Sequence, residues 1–317
     1  MPSYAIVGSG WGGALWRHAV RSLPEHRVVE PVGEAPWGAD VVVVATPPAT
    51  HAAVALDLSA TGVAVLVESP LATTLADADR LVGAVAGGAR IAATSNLLHA
   101  PLVRAFLARA EELGTLGHLG LRAVAADRAT DGPAHPDPAG VLCTVGPGAV
   151  SVVLATLRAD RPVAVRASVL RRRDDGRTSA VEVTLGTASG TVATLEIDDA
   201  ATAPIWDLQV ASASSALRLE LQPDPHLEQL GVDLPAPARR YAVEPAQLET
   251  FGYLDQVAEA GADLLGGRPP WLTATFGRNV LEVLCAAAEA CASGAPVEVP
   301  WRGDRTRSLA DLVAGPG

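Results

Sequence analysis

A glycine-rich turn near the N-terminus is the clearest chemical signal in the sequence. Gly8-Ser9-Gly10-Trp11-Gly12-Gly13 follows a β-type run at residues 4–7 and precedes a helical segment. In a G-x-G-x-x-G turn, Gly8 makes the tight turn, Gly10 lets the backbone approach a pyrophosphate, and Gly13 lets helix and strand pack closely. The helix N-terminus adds unpaired N–H groups. The turn predicts a dinucleotide site, although a glycine turn used only for packing is the competing explanation.

Three further stretches follow apolar runs that have the composition of buried parallel strands. The runs and the residues after them are residues 40–45 before Thr46 and Pro47, residues 63–67 before Glu68 and Ser69, and residues 90–93 before Asn96. Ligands of parallel sheets bind beyond the carboxyl ends of the strands. We therefore predict that the cofactor site is lined by the three glycines and by Trp11, Thr46, Pro47, Glu68 and Asn96.

An acidic residue near the end of the second strand would complete such a site. Residues 27–32 form the second predicted strand, and Glu30 lies roughly where a carboxylate binds the ribose 2′-hydroxyl. Glu34 is a second candidate, and a solvated loop carboxylate is the alternative for either. The cofactor implied is NAD or NADP, and the sequence does not choose between them.

Strands and helices alternate through about the first hundred residues, which predicts a doubly wound parallel sheet. From about Gly117, successive strands separated by tight turns predict an open, mainly antiparallel sheet with accompanying helices. We therefore predict α/β plus α+β architecture. A Rossmann-type domain spans residues 1–116, and a substrate and oligomerisation domain spans residues 117–317.

The composition argues against several classes of protein. A net charge of −11 argues against nucleic acid as a partner, and no apolar run is long enough for a membrane span. The N-terminus lacks a secretory signal, so we expect a cytoplasmic protein with a small-molecule substrate. The three cysteines lack metal-ligand spacing, so we expect no metal. An open sheet needs a cover, which favours a homodimer or homotetramer.

Several motifs together resemble the Gfo/Idh/MocA family, the glucose–fructose-oxidoreductase-like dehydrogenases. They are GSGWGG, ADVVVVATPPATH, VLVESPLA, AGVLCTVGPGA and the C-terminal LEVLCAAAEACASGAPVEVPW. The resemblance covers nearly the whole chain. It implies an N-terminal Rossmann domain and a C-terminal sheet that lines the substrate site and often mediates oligomers. It also implies the use of NAD or NADP to oxidise or reduce sugars and related small molecules.

Three features depart from the family pattern. The family's Glu-Lys-Pro aligns with Glu68-Ser69-Pro70, so Ser69 stands where a Lys handles the proton that accompanies hydride transfer. A hydroxyl is too weak an acid for that task near neutral pH. The family's Asp-x-Gly-x-His aligns with residues 144–148, where Thr144 and Gly148 replace the Asp and the His. Finally, residues 33–39 are too few for the helix and strand that flank the adenosine, which predicts weakened or lost cofactor binding.

The losses favour a redox-neutral enzyme of specialised metabolism, such as a cyclase, isomerase or lyase, on an oxidoreductase scaffold. The intact glycine turn favours the alternative, an NAD(P)-dependent imine or carbonyl reductase with an atypical proton donor. A catalytically silent family member is the third possibility. The chain has no lysine to act as acid or base. The candidate catalytic residues are His99, Ser69, Thr144, His135 and Tyr253, whereas His51 is expected to pack a helix start.

Overall fold

The computed structural model describes residues 1–30, 35–126, 139–241 and 243–315. The chain divides into two compact units. The first consists of residues 1–100 and 240–281, and the second of residues 101–239 and 282–317. These units differ from the ranges 1–116 and 117–317 expected from the sequence, because residues 240–281 pack with the N-terminal residues.

Strands and helices of the described residues are numbered in chain order. The strands are β1 (Ser3–Val7), β2 (Arg27–Val29), β3 (Val41–Val44), β4 (Ala64–Val67), β5 (Ile91–Ala93), β6 (His118–Ala126), β7 (Pro162–Arg172), β8 (Thr178–Thr187), β9 (Val192–Ala201), β10 (Ile205–Ala211), β11 (Ala216–Gln222), β12 (His226–Gln229), β13 (Val232–Asp233) and β14 (Val297–Glu298). The helices are α1 (Trp11–Arg21), α2 (His51–Ser59), α3 (Leu75–Ala86), α4 (Asn96–His99), α5 (Pro101–Glu112), α6 (Val141–Thr144), α7 (Gly146–Leu157), α8 (Gln247–Thr250), α9 (Tyr253–Leu265), α10 (Ala274–Ser293) and α11 (Leu309–Ala314). None of these helices is long and apolar enough to cross a membrane.

A five-stranded sheet with the order β2-β1-β3-β4-β5 lies at the centre of the first unit. Each neighbouring pair is parallel, which confirms the predicted N-terminal sheet. All residues of β3 and β4 are buried, as expected for parallel strands covered on both faces. The strand order reverses between β1 and β3, and open parallel sheets bind ligands beyond the carboxyl ends of the strands at such a point.

The connection from β2 to β3 is short. Its described part, residues 35–40, contains turns and bends and no helix or strand, and β2 lies at the edge of the sheet. Doubly wound sheets of the Rossmann type continue at this edge with a further strand. The described residues thus agree with the shortening that the sequence predicts.

The core of the first unit is built from both of its chain segments. Tyr4, Ile6 and Leu66 from the strands share one apolar cluster with Leu254 and Val257 of α9. Burying apolar surface is the main favourable contribution to folding. Helix α9 is therefore part of this core although it lies far along the chain.

The second unit contains a nine-stranded sheet with the order β13-β12-β11-β10-β6-β9-β8-β7-β14. The β6–β9 pair is parallel and the other pairs are antiparallel, which confirms the predicted, mainly antiparallel sheet. Along β11 the residues Leu217, Leu219 and Leu221 are buried, and Arg218 and Glu220 alternate with them. This alternation places one apolar and one polar face on the sheet.

Candidate functional site at the strand ends of the first unit

Two glycines of the turn between β1 and α1 are required by packing. Gly8 has a φ of +135°, and a Cβ there would lie 2.0 Å from the carbonyl oxygen of Ala45. A Cβ on Gly13 would lie 2.2 Å from the carbonyl oxygen of Gly8. Arg17 donates hydrogen bonds to the carbonyls of Gly8 and Ile6, each at 3.0 Å. The glycine turn therefore packs against the end of β3 at Gly8 and against the first turn of α1 at Gly13, and neither contact leaves room for a side chain.

Gly10 has no such requirement. Its φ of −73° and ψ of −174° are open to any residue, and a Cβ there would meet nothing within 4 Å. Gly10 is the N-cap of α1, no side chain caps this helix start, and the first turn holds no acidic residue. The open space and the positive end of the helix dipole leave room for an anionic group. The neighbouring Trp11 is 61% exposed.

Glu68 follows β4 and lies against the first turn of α1. The indole N–H of Trp16 donates to its Oε1 at 2.8 Å, and a Cβ on Gly12 would lie 2.5 Å from its Oε2. Gly12 is not one of the three fingerprint glycines, so its role is to make room for this carboxyl group. Burial raises the pKa of Glu68 to about 7, against the opposing effect of the Trp16 hydrogen bond. Such a carboxyl group can exchange a proton near neutral pH.

Other predicted polar residues at the strand ends form hydrogen bonds within the first unit. Ser69 Oγ donates to the carbonyl of Thr94. Asn96 Nδ2 donates to the carbonyl of Phe251 at 2.8 Å, and Thr46 accepts from the hydroxyl of Thr50 at 2.8 Å. Ser69 and Asn96 thereby connect their turns to neighbouring segments of the unit.

His51 connects the turns that follow β3 and β4. It is 1% exposed, and its Nδ1 and Nε2 lie 2.8 Å and 2.7 Å from the carbonyl oxygens of Pro70 and Thr46. Burial lowers its pKa, although these hydrogen bonds act in the opposite direction. The geometry agrees with the packing role expected from the sequence.

His99 contacts the second chain segment of the first unit, residues 240–281, and Tyr253 belongs to that segment. His99 is 2% exposed, its Nδ1 lies 3.3 Å from Glu259 Oε2, and its ring meets Trp271 edge-on at 5.4 Å between centroids. Glu259 also lies 3.6 Å from Arg240, whose Nη1 binds the buried Asp255 at 2.6 Å. Tyr253 begins α9 and packs against the core. Through these contacts His99 connects α4 to α9, which is a structural role.

Glu30 follows β2 directly, at the carboxyl end of that strand. Its Oε1 lies 3.2 Å from Arg21 Nη2 at the end of α1, and both side chains are 60% exposed. The predicted ribose-binding carboxylate is thus accessible. The second candidate, Glu34, lies outside the described residues.

In the second unit, Thr144, which the resemblance aligns with an Asp, lies beside a carboxylate. Thr144, exposed at the end of α6, has its Oγ1 3.3 Å from Asp199 Oδ2. Arg173 donates to the other oxygen of that carboxylate at 3.0 Å. Sequence analysis missed Asp199 because it lies on β9, 55 residues away, and no local motif marks it. The candidate His135 lies outside the described residues.

Comparison with known proteins bears on both the fold and the family. Residues 18–93 match the oxidoreductase family with an NAD-binding Rossmann fold, GFO_IDH_MocA. This match confirms the Gfo/Idh/MocA resemblance. The matched segment runs from within α1 to the end of β5. No curated protein matches the chain significantly.

Solved structures of this type share the fold over almost the whole chain. GenD2 from gentamicin A biosynthesis, in complex with NAD, is 23% identical with a TM-score of 0.79, and the match covers 94% of this chain and 96% of GenD2. An oxidoreductase from Agrobacterium radiobacter, bound to NAD+, L-tartaric acid and magnesium, is 16% identical with a TM-score of 0.81 over 94% and 98% of the two chains. A myo-inositol dehydrogenase from Corynebacterium glutamicum ATCC 13032 is 16% identical with a TM-score of 0.76 over 94% and 99%.

Proposed function

We propose that this Gfo/Idh/MocA-type chain is an NAD(P)-dependent reductase of an imine or carbonyl compound, with a proton donor other than lysine. Gly10 is the observation that carries the proposal. Neither its backbone conformation nor its packing requires glycine, whereas approach of a pyrophosphate to the helix start does. This geometry favours the reductase over the redox-neutral enzyme that the lost side chains favour in the sequence alone.

The residues at the strand ends fit a dinucleotide. The N–H groups at the start of α1 would hold the pyrophosphate beside Gly10. Glu30 would bind the adenosine ribose, and the residues that follow β3 would flank the place where the strand order reverses. When bound, the nicotinamide supplies the hydride.

Glu68 is the best candidate to hold the proton. Its carboxyl group is largely buried, and this burial raises its pKa to about 7. Ser69, at the family's Lys position, uses its hydroxyl to bind the Thr94 carbonyl. An imine suits this arrangement because it can arrive already protonated and needs less from the enzyme. The likeness to GenD2, named for gentamicin A biosynthesis, supports a substrate from specialised metabolism.

A redox-neutral enzyme, acting by cyclisation, isomerisation or elimination, is the second candidate. It is favoured by the second unit, where Thr144 replaces the family's Asp and has a hydroxyl beside the Asp199 carboxylate. A carboxylate held by Arg173 could still act as a base toward a small molecule without any hydride transfer.

Titration with NADH and NADPH tests the proposal. Binding is followed by tryptophan quenching and energy transfer, since Trp11 lies in the turn. We expect saturable micromolar binding, and Gly10→Ala should weaken it at least about tenfold. Gly83→Ala is the matched control, because a Cβ there also meets nothing within 4 Å but lies on α3. Absence of binding to the wild type would leave the redox-neutral candidate, whose turnover persists without cofactor.

We also propose a cytoplasmic homodimer or homotetramer in which the polar face of the nine-stranded sheet is covered. Side chains on that face include Arg122 and Glu196, which pair at 3.0 Å while remaining largely exposed. The net charge of −11 supports the expectation that neither nucleic acid nor a membrane surface is a partner. Analytical ultracentrifugation tests the oligomer, and a monomer at micromolar concentration would contradict it.

A further inference from the structure

Three side chains with metal-binding groups meet at one end of the nine-stranded sheet. His226 and Glu228 are two residues apart on β12, so they project from the same face. Asp233 of β13 is directly opposite Glu228 in the antiparallel pair. One ligand atom from each of these three residues lies within 4.8 Å of the other two.

The nearest cation attracts Glu228 but forms its salt bridges with two other carboxylates. Arg218 is opposite Glu228 on β11, yet its guanidinium binds Asp207 at 2.5 Å and Glu220 at 2.8 Å. In the part of the chain that is described, neither the Glu228 nor the Asp233 carboxylate has a hydrogen bond or a salt bridge. Like charges directly opposite each other destabilise an antiparallel pair, and a bound cation would remove that repulsion.

The hydrogen bond made by His226 leaves its Nε2 available to bind a metal ion. Its Nδ1 lies 2.7 Å from the carbonyl oxygen of Asp224, an acceptor that requires Nδ1 to carry the hydrogen. In the neutral ring Nε2 then has the free electron pair. Metal-bound histidines almost always donate their other ring N–H in this way, often to a backbone carbonyl. This hydrogen bond is independent of the two carboxylates.

We propose that His226, Glu228 and Asp233 bind a divalent transition-metal ion. One imidazole and two carboxylates form a ligand set for Zn²⁺ or Mn²⁺, and three protein ligands leave a position for water or another ligand. A hollow of about 180 Å³ shares Glu228 and is also lined by His118, Gln209 and Arg218. The ion would fasten β13, the edge strand, to β12. The expectation of no metal rested on the cysteine spacing, whereas these three residues are brought together by the register of β12 and β13.

Calorimetric titration of the chelator-treated full chain with Zn²⁺ at pH 7.5 tests the proposal. We expect one ion per chain. His226→Ala and Glu228→Gln should each weaken binding more than about 100-fold, which exceeds the loss caused by removing a group that only hydrogen-bonds to a metal ligand. Glu182→Gln on β8, five strands from β12, is the matched control and should bind like the wild type.

The same titration is repeated with Mn²⁺ and Mg²⁺, and circular dichroism and thermal melting confirm that each variant is folded. Zn²⁺ should raise the melting temperature of the wild type but not that of His226→Ala. The proposal is overturned if neither Zn²⁺ nor Mn²⁺ binds at 100 μM. It is equally overturned if binding survives in both ligand variants, because the ion then lies elsewhere.

Discussion

The glycine turn after β1 and the segment at residues 144–148 differ in what they retain of the Gfo/Idh/MocA pattern. The turn keeps all three glycines, and two of them stand where no Cβ fits. The second segment has Thr144 and Gly148 at positions that the resemblance aligns with an Asp and a His, and Asp199 lies beside the threonine. Packing thus requires glycine at two positions of the turn, independently of any ligand. Gly8 and Gly13 are therefore weak evidence for a cofactor, and Gly10 is strong evidence.

The largest effect should come from Gly8→Ala. The new Cβ would meet a carbonyl oxygen at 2.0 Å with φ at +135°, so we expect a loss of about 4 kcal/mol in the free energy of unfolding. Urea denaturation measures it, with Gly83→Ala as the control. A loss below about 1 kcal/mol would mean that packing does not hold this glycine, and the comparison above would fail.

Glu68→Gln should change how the stability of the protein depends on pH. Between pH 4.5 and about 7 the folded protein keeps the Glu68 proton, whereas the unfolded chain has lost it. The free energy of unfolding of the wild type therefore falls as the pH rises through that window. The uncharged variant avoids this loss. It should be more stable than the wild type by about 3 kcal/mol at pH 8, and the difference should vanish near pH 4.5. An equal difference at both pH values would contradict the assignment.

His99→Gln should affect stability rather than cofactor binding. Removing the buried imidazole beside Glu259 should cost about 2 kcal/mol, with NADH affinity unchanged within twofold. His118→Gln, on the polar face of β6, is the control and should stay within about 0.5 kcal/mol. Loss of turnover without loss of stability would return His99 to the acid–base role that the sequence suggested.

Glu30→Gln should produce the smallest change. The Arg21–Glu30 pair is exposed, so stability should change by less than about 0.5 kcal/mol. NADH affinity should fall about fivefold if the carboxylate binds the ribose, and NADPH affinity should not. Arg21→Gln separates the effect of the carboxylate from that of the ion pair. An equal fall for both cofactors would show that Glu30 does not select between them.

Much of the fold could be predicted because it depends on local patterns. The apolar runs before Thr46 and Glu68 form strands, and the spacing of the glycines that follow β1 is a local pattern as well. The position of α9 in the first unit could not be predicted, because its apolar face fits any neighbouring core. β13 was missed because two residues are too short for an alternating pattern.

For the candidate site, the sequence indicates where residues lie along the chain but not how they are buried or what they contact. Glu68 was assigned correctly to the end of a strand, but its raised pKa depends on burial and on Trp16, and neither is visible in a linear motif. His99 looked chemically available in the sequence, and only the packing of α9 shows that it is buried. The metal ligands proposed at β12 and β13 likewise depend on strand register.

The first unit is built from two separate chain segments, so it cannot complete its core until the second segment has been synthesised. Leu248, Leu254 and Val257 complete the core around Tyr4 and Ile6, yet residues 101–239 are synthesised in between. At ordinary translation rates that interval lasts roughly ten to thirty seconds. During this time the N-terminal strands have no complete core, so their buried valines are exposed to solvent until residues 240–281 are made.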